Sequence, residues 1–133
     1  MTNHRTRLLP LLLAIIPACA PSCAGTRARE SVLLPAIRAD WAAIRVEAER
    51  SAKALSPEGS PLIAQADHAI EVGSVPLIVA VDWATIDALA AADVQRREDM
   101  AEIGTGVAAS LRERHRLFIE ARRTFTTTPT TTK

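Results

Sequence analysis

The sequence predicts an all-α fold, a small bundle of three to four helices, and three observations carry that expectation. Among 133 residues there are 25 alanines, two phenylalanines, no tyrosine and only five glycines, so helix formers are plentiful and aromatic strand formers scarce. Leu34, Ile37, Trp41, Ile44, Ala48, Ser51 and Leu55 recur at alternating spacings of three and four, and six of the seven are apolar. Residues three and four apart stack on one face of a helix, so this period draws a narrow seam that needs a partner helix. The one strand-like run, Leu77, Ile78, Val79, Ala80 and Val81, has no second candidate to pair with, and an isolated strand leaves its backbone groups unsatisfied. The length allows one domain with one small core.

The chain opens on a polar stretch with Arg5 and Arg7, continues into an apolar run over residues 8–16 broken only by Pro10, and reaches Pro17, Ala18 and Cys19. This is the charged, apolar and cleavage-region order of an export signal. The run is about nine residues, far short of the ~20 that a membrane-spanning helix needs. A cysteine stands where small residues would mark an ordinary cut. Ile16, Pro17, Ala18 and Cys19 resemble the lipobox of bacterial lipoproteins, with an aliphatic residue three places before the cysteine and a small one directly before it. Pro17 departs from the commonest pattern.

That resemblance covers the first 19 residues. It implies that residues 1–18 are a signal peptide, cleaved off, and that Cys19 becomes the first mature residue and carries acyl chains on its thiol and amine. Several chains, at ~0.8 kcal/mol per buried methylene, hold a membrane far more firmly than one. Lipoproteins of this kind in Gram-negative bacteria usually go on to the outer membrane when no aspartate follows the cysteine, and Ala20 fits that route. Ala20, Pro21, Ser22 and Cys23 form a second, poorer match. An ordinary secretory signal with two incidental cysteines is the alternative. Cys23 would be a free thiol in an oxidising compartment, open to intermolecular pairing or simply left unpaired.

Residues 19–30 contain Pro21, Ser22, Gly25 and Thr26 without an apolar period, so they read as a flexible tether. The helical domain is expected over residues 31–124. Its first helix begins between Val32 and Pro35, with Ser31 as cap and Pro35 tolerated in the first turn. At ~1.5 Å per residue the seam over residues 34–55 is ~33 Å long. Arg38, Asp40, Arg45, Glu47, Glu49, Arg50 and Lys53 read as its solvent face. Ser56, Pro57, Glu58, Gly59, Ser60 and Pro61 then signal a turn.

The second helix takes Ser60 as cap, Pro61 at its first position and Gly73 just past its end. Leu62, Ile63, Ala66, Ala69 and Ile70 share one side, and His68 falls on the polar side as a solvated residue. Ser74 and Pro76 restart the chain into a third helix that should run to Met100 or Ile103, with Val79, Trp83, Ile86 and Ala90 in the three-four spacing. Gly104, Thr105 and Gly106 suggest a tight turn with Thr105 as cap, a weak point in one continuous helix being the alternative. In the fourth helix Leu111, Phe118 and Phe125 fall seven apart, and His115 lies on that face as a histidine packed at a core edge. Residues 125–133, rich in threonine, read as a disordered tail.

The formal charge is +1, and without Arg5 and Arg7 the basic side chains number 14 against 15 acidic, a net of −1. Overall charge therefore points to no particular partner. Locally, Asp82, Asp87, Asp93, Glu98, Asp99 and Glu102 make the third helix acidic, while Arg112, Arg114, Arg116, Arg122 and Arg123 make the fourth basic. Antiparallel packing would bring the two signs together; binding of anionic lipid or glycan is the other use of the basic run.

Chemistry-bearing patterns are scarce. His68 and His115 stand in no zinc-type spacing, no glycine-rich phosphate loop follows a strand, and no serine occupies a nucleophile elbow. Asp82 and Asp87, five apart, point in different directions, and Glu98, Asp99 and Glu102 read as a solvated face. Two tryptophans without tyrosine offer no aromatic platform for nucleic acid. No catalytic residue, metal ligand or cofactor site is expected, and an enzyme is the last choice.

The expected role is a membrane-anchored, non-enzymatic lipoprotein of the bacterial envelope, on the outer membrane facing the periplasm. Its membrane contact is through acyl chains on Cys19, and its helical domain would bind a protein or peptidoglycan partner. If phage-borne, as an accessory, it would suit lysis or exclusion of further phage. A wall-linking or spacing protein using Lys133, as the major murein lipoprotein uses its C-terminal lysine, is the alternative, and a soluble periplasmic binder or inhibitor is a third.

Overall fold

A computed structural model of the protein describes residues 21–127, with side chains from residue 32 onward. The described residues form five helices and no strand, so the domain is all-α. They are α1 (Pro21–Leu55), α2 (Gly59–Val72), α3 (Val75–Val79), α4 (Trp83–Asp99) and α5 (Thr105–Thr127). Residues 1–20, with Cys19, and residues 128–133, with Lys133, lie outside them.

The long helices alternate in direction. Arg38 of α1 donates to the Ile70 and Glu71 carbonyls of α2 while Arg45 reaches Asp67, so α1 and α2 are antiparallel. Trp41 meets Trp83 and Arg50 meets Asp93, which makes α1 and α4 parallel. Arg112 to Glu98 and Arg122 to Asp87 set α4 and α5 antiparallel. α1 packs on α2, α4 and α5 at once, most extensively on α4, whereas α2 and α5 do not touch.

That central place explains the burial of α1. Ile37, Trp41, Ile44, Ala48 and Ser51 of the expected seam are buried, but so are Glu47 and Ala52 beside it. A helix with three neighbours needs a broader buried face than a two-helix seam supplies. Glu47 is therefore corrected from solvent face to interior. Leu55, at the far end, is exposed.

Helix limits differ from expectation at four places. α1 starts at Pro21, so most of the stretch read as a tether has helical backbone, and Pro35 sits inside the helix rather than in its first turn. Ala24, Ala28 and Glu30 are good helix formers. They follow no apolar period, which is the signal that located the other helices. α2 starts at Gly59, two residues before Pro61. A Cβ on Gly59 would come 2.7 Å from Leu89 Cδ1 and 3.1 Å from Ala52 Cβ, so glycine lets α2 close on α1 and α4. At the other end Gly73 takes φ 74°, and its N–H bonds the Ala69 carbonyl as the sequence led one to expect.

The expected third helix is two. The Asp82 carboxylate accepts from the Thr85 N–H at 3.2 Å and from its hydroxyl at 2.7 Å, which starts a new helix at Trp83. Trp83 Nε1 donates back to the Ile78 carbonyl at 2.8 Å and fixes the corner. The tail also changes: α5 continues to Thr127, and Phe125, placed in a disordered segment, is 4% exposed within the core.

Between α4 and α5 the expected turn is present, built on residues ahead of the glycines. Ala101 N–H bonds the Glu98 carbonyl and Glu102 N–H the Arg97 carbonyl, with Ala101 at φ 61°. This is a Schellman ending with alanine in the left-handed position that glycine usually fills. The Gly104 carbonyl then takes the Ala108 N–H, so Gly104 occupies the cap position expected of Thr105.

Candidate functional site

The polar residues that matter lie between helices. Asp67 of α2 accepts from Trp41 Nε1 at 2.7 Å and from Arg45 at 2.9 and 2.8 Å, so one carboxylate ties an indole and a guanidinium of α1 to α2. That hydrogen bond holds the Arg45 guanidinium above its ordinary pKa, and burial works against it. Asp93 of α4 is fully buried and accepts from Arg50 of α1 at 3.0 to 3.2 Å and from Arg96 at 2.6 Å, with Arg97 at 3.8 Å. A buried carboxylate is tolerable only with such partners. The bond to Asp93 likewise raises the Arg50 pKa.

On the other side of α1, His115 Nε2 of α5 lies 2.5 Å from Glu47 Oε1, with side chains 13% and 6% exposed. The histidine expected at a core edge is there, and its partner is the glutamate expected in solvent. Arg122 of α5 gives both terminal nitrogens to Asp87 of α4 at 3.1 and 2.8 Å. Its guanidinium carbon sits 4.2 Å from the Trp83 ring centroid and 5.0 Å from that of Phe118. Trp41, Trp83 and Phe118 pack with centroids 5.7 to 6.0 Å apart beneath it.

The charge division therefore does pair α4 with α5 at Arg112 to Glu98 and Arg122 to Asp87, but Arg116 pairs within its own helix, with Glu113 and Glu120. Arg116 holds the Glu113 carboxyl below its usual range.

Two concave surfaces flank Ile119. One, of about 280 Å³, opens between α4 and α5 over Ile44 and is lined by Asp87, Ala88, Ala90, Ala91, His115 and Phe118. The other, of about 270 Å³, lies between α3 and α5 and is lined by Ile78, Val79, Trp83, Arg122, Arg123 and Thr126. The first is almost wholly apolar, and His115, the partner of Glu47, is part of its lining. The pair can hold an imidazole in one orientation; among the described residues no hydroxyl or thiol is hydrogen-bonded to it. The buried Ser51 hydroxyl of α1 has no hydrogen-bond partner. No cluster of three potential metal ligands occurs among the described residues.

Cys19, the one site residue expected from sequence, lies outside the described residues, and His68 is exposed as expected. Glu47, Asp87, Asp93 and Arg122 were missed. Asp93 had a signal: it falls three after Ala90 and seven after Ile86, an acid on an apolar seam with Arg96 and Arg97 one turn on. Comparison with protein-family models, curated proteins and solved structures returned no match.

Proposed function

We propose that the chain is a membrane-anchored, non-enzymatic lipoprotein of the bacterial envelope, held on the periplasmic face of the outer membrane by acyl chains on Cys19. Its helical domain binds a protein or cell-wall partner. The observation that carries this reading is the run from Arg5 and Arg7 through the apolar residues 8–16 to Ile16, Pro17, Ala18 and Cys19. Among the described residues no helix is long and apolar enough to cross a membrane, so in this reading attachment falls to Cys19.

A binding role for the domain draws on the exposed Val72, Val75, Leu77 and Val79 around α3, an apolar end that the fold leaves uncovered. Labelled palmitate tests the anchor. The wild type should incorporate it and fractionate with membranes, Cys19→Ser should do neither, and Cys23→Ser should behave as wild type. Uptake by Cys19→Ser but not by Cys23→Ser would move the anchor to the second match. No uptake by any form would leave the soluble reading in its place.

A further inference from the structure

We infer that the groove between α3 and α5 is a binding site for an apolar monocarboxylate, a molecule with an aromatic or alkyl body and one carboxylate head. The site is independent of how the chain is anchored. Ile78, Val79, Trp83 and Ile119 supply its apolar lining, and the volume is about 270 Å³. A cavity of ~150 Å³ lined by apolar residues accommodates benzene, so the groove has room for a ring and a short chain. Val79 is 62% exposed and leads out to the exposed Val75 and Leu77. A longer body, such as a peptide ending in a free carboxylate, can therefore continue along α3.

The head is selected by two guanidiniums, which stay charged at any working pH. Arg122 and Arg123 are the charged residues of the lining, and no carboxylate shares it with them. Arg122 is 8% exposed and held by Asp87 and the Trp83 ring, so its direction is set before a ligand arrives. A guanidinium has five N–H donors, and Asp87 takes two of them. Asp87 balances the Arg122 charge, and Asp82, next to Trp83, is engaged by the Thr85 N–H and hydroxyl. Arg123 is exposed and enters no ion pair among the described residues, so the groove keeps one uncompensated positive charge. One carboxylate matches that charge, whereas a phosphate dianion would exceed it. A cationic head would meet donors only, and the Trp83 face that would attract it already carries Arg122.

Two probes with like bodies and opposite heads, phenylpropionate and phenylpropylamine, separate this from plain apolar adsorption. The purified full chain is titrated with each at pH 7, where an ordinary carboxylate (pKa ~4) and an ordinary amine (pKa ~10) are both charged. Amide shifts are followed by two-dimensional nuclear magnetic resonance. Phenylpropionate should give saturable shifts centred on Val79, Ile119, Arg123 and Thr126, and the amine should bind at least tenfold more weakly. Arg123→Gln should weaken the acid about fivefold and Val79→Asp tenfold or more, each at an exposed position, while Arg114→Gln, exposed and outside the groove, should bind as wild type. N-acetyl-valyl-phenylalanine distinguishes the sources of the head: binding tenfold tighter than phenylpropionate supports a peptide C-terminus, and equal or weaker binding supports a free acid. Absence of saturable shifts with phenylpropionate, equal binding of the amine, full binding in both Arg123→Gln and Val79→Asp, or an equal loss in Arg114→Gln would each overturn the inference.

Discussion

The Arg122 guanidinium carbon lies over the Trp83 ring, 4.2 Å from its centroid, while both terminal nitrogens bond the Asp87 carboxylate. One side chain of α5 thereby meets an aromatic face and an acid one turn apart on α4. Removing one member of a buried ion pair costs more than removing both, because the survivor keeps a charge without a partner. Asp87→Ala should therefore destabilise the domain by about 2–3 kcal/mol, below the ~3–5 kcal/mol of a fully buried pair because Asp87 is partly exposed. The double variant Asp87→Leu with Arg122→Met should recover much of that loss in chemical denaturation. Additive losses in the double variant would show that the two residues are not coupled.

Trp41 sits where all the packing converges. It stacks on Phe118, meets Trp83 edge-on and donates its indole N–H to Asp67. Trp41→Ala should cost ~3–5 kcal/mol, a large share of the ~5–15 kcal/mol that holds a domain together. Trp41→Phe keeps a ring and loses the hydrogen bond, with an expected cost about 1–2 kcal/mol, since Asp67 retains Arg45. Melting of the two variants side by side reads the difference; equal losses would place the whole effect in the hydrogen bond.

Ala101 holds a left-handed conformation at the end of α4. Ala101→Gly should raise stability by about 0.5–1 kcal/mol, because glycine avoids a strain of ~1–2 kcal/mol while giving the unfolded chain more freedom, which returns part of the gain. A lower melting temperature in this variant would contradict the Schellman ending.

Phe125 is the last buried residue among those described. Phe125→Ala should cost ~3 kcal/mol or more as a large apolar side chain leaves a buried site. Thr127→Ala, two residues later and exposed, should change stability by under ~0.5 kcal/mol. Similar melting temperatures for both would return Phe125 to the tail that its threonine-rich surroundings suggested.

Much of the fold was legible because burial leaves a period in the sequence. Ile37, Trp41 and Ile44 of α1, and Ile63, Ala66, Ala69 and Ile70 of α2, are apolar at helical spacing and all buried. Gly73 declared its conformation by its place after α2. The break before α4 was hidden because Val79, Trp83 and Ile86 keep the three-four spacing across it, and only Asp82 with Thr85 three residues on marked a cap. The groove between α4 and α5 was less legible still. Its walls come from α1, α4 and α5, and Glu47 looked like any solvent-facing glutamate until His115, 68 residues away, was placed against it. Pairings of that kind depend on how helices cross, which a single-chain period does not encode.

The lipoprotein reading rests on one bond, between an acyl chain and the Cys19 sulfur. Intact mass and fragmentation of the purified mature N-terminus test it directly. The account predicts a chain whose first residue is Cys19, heavier than its peptide mass by the acyl groups on thiol and amine. A mature chain with an unmodified Cys19, or one cut elsewhere with both cysteines bare, would contradict it.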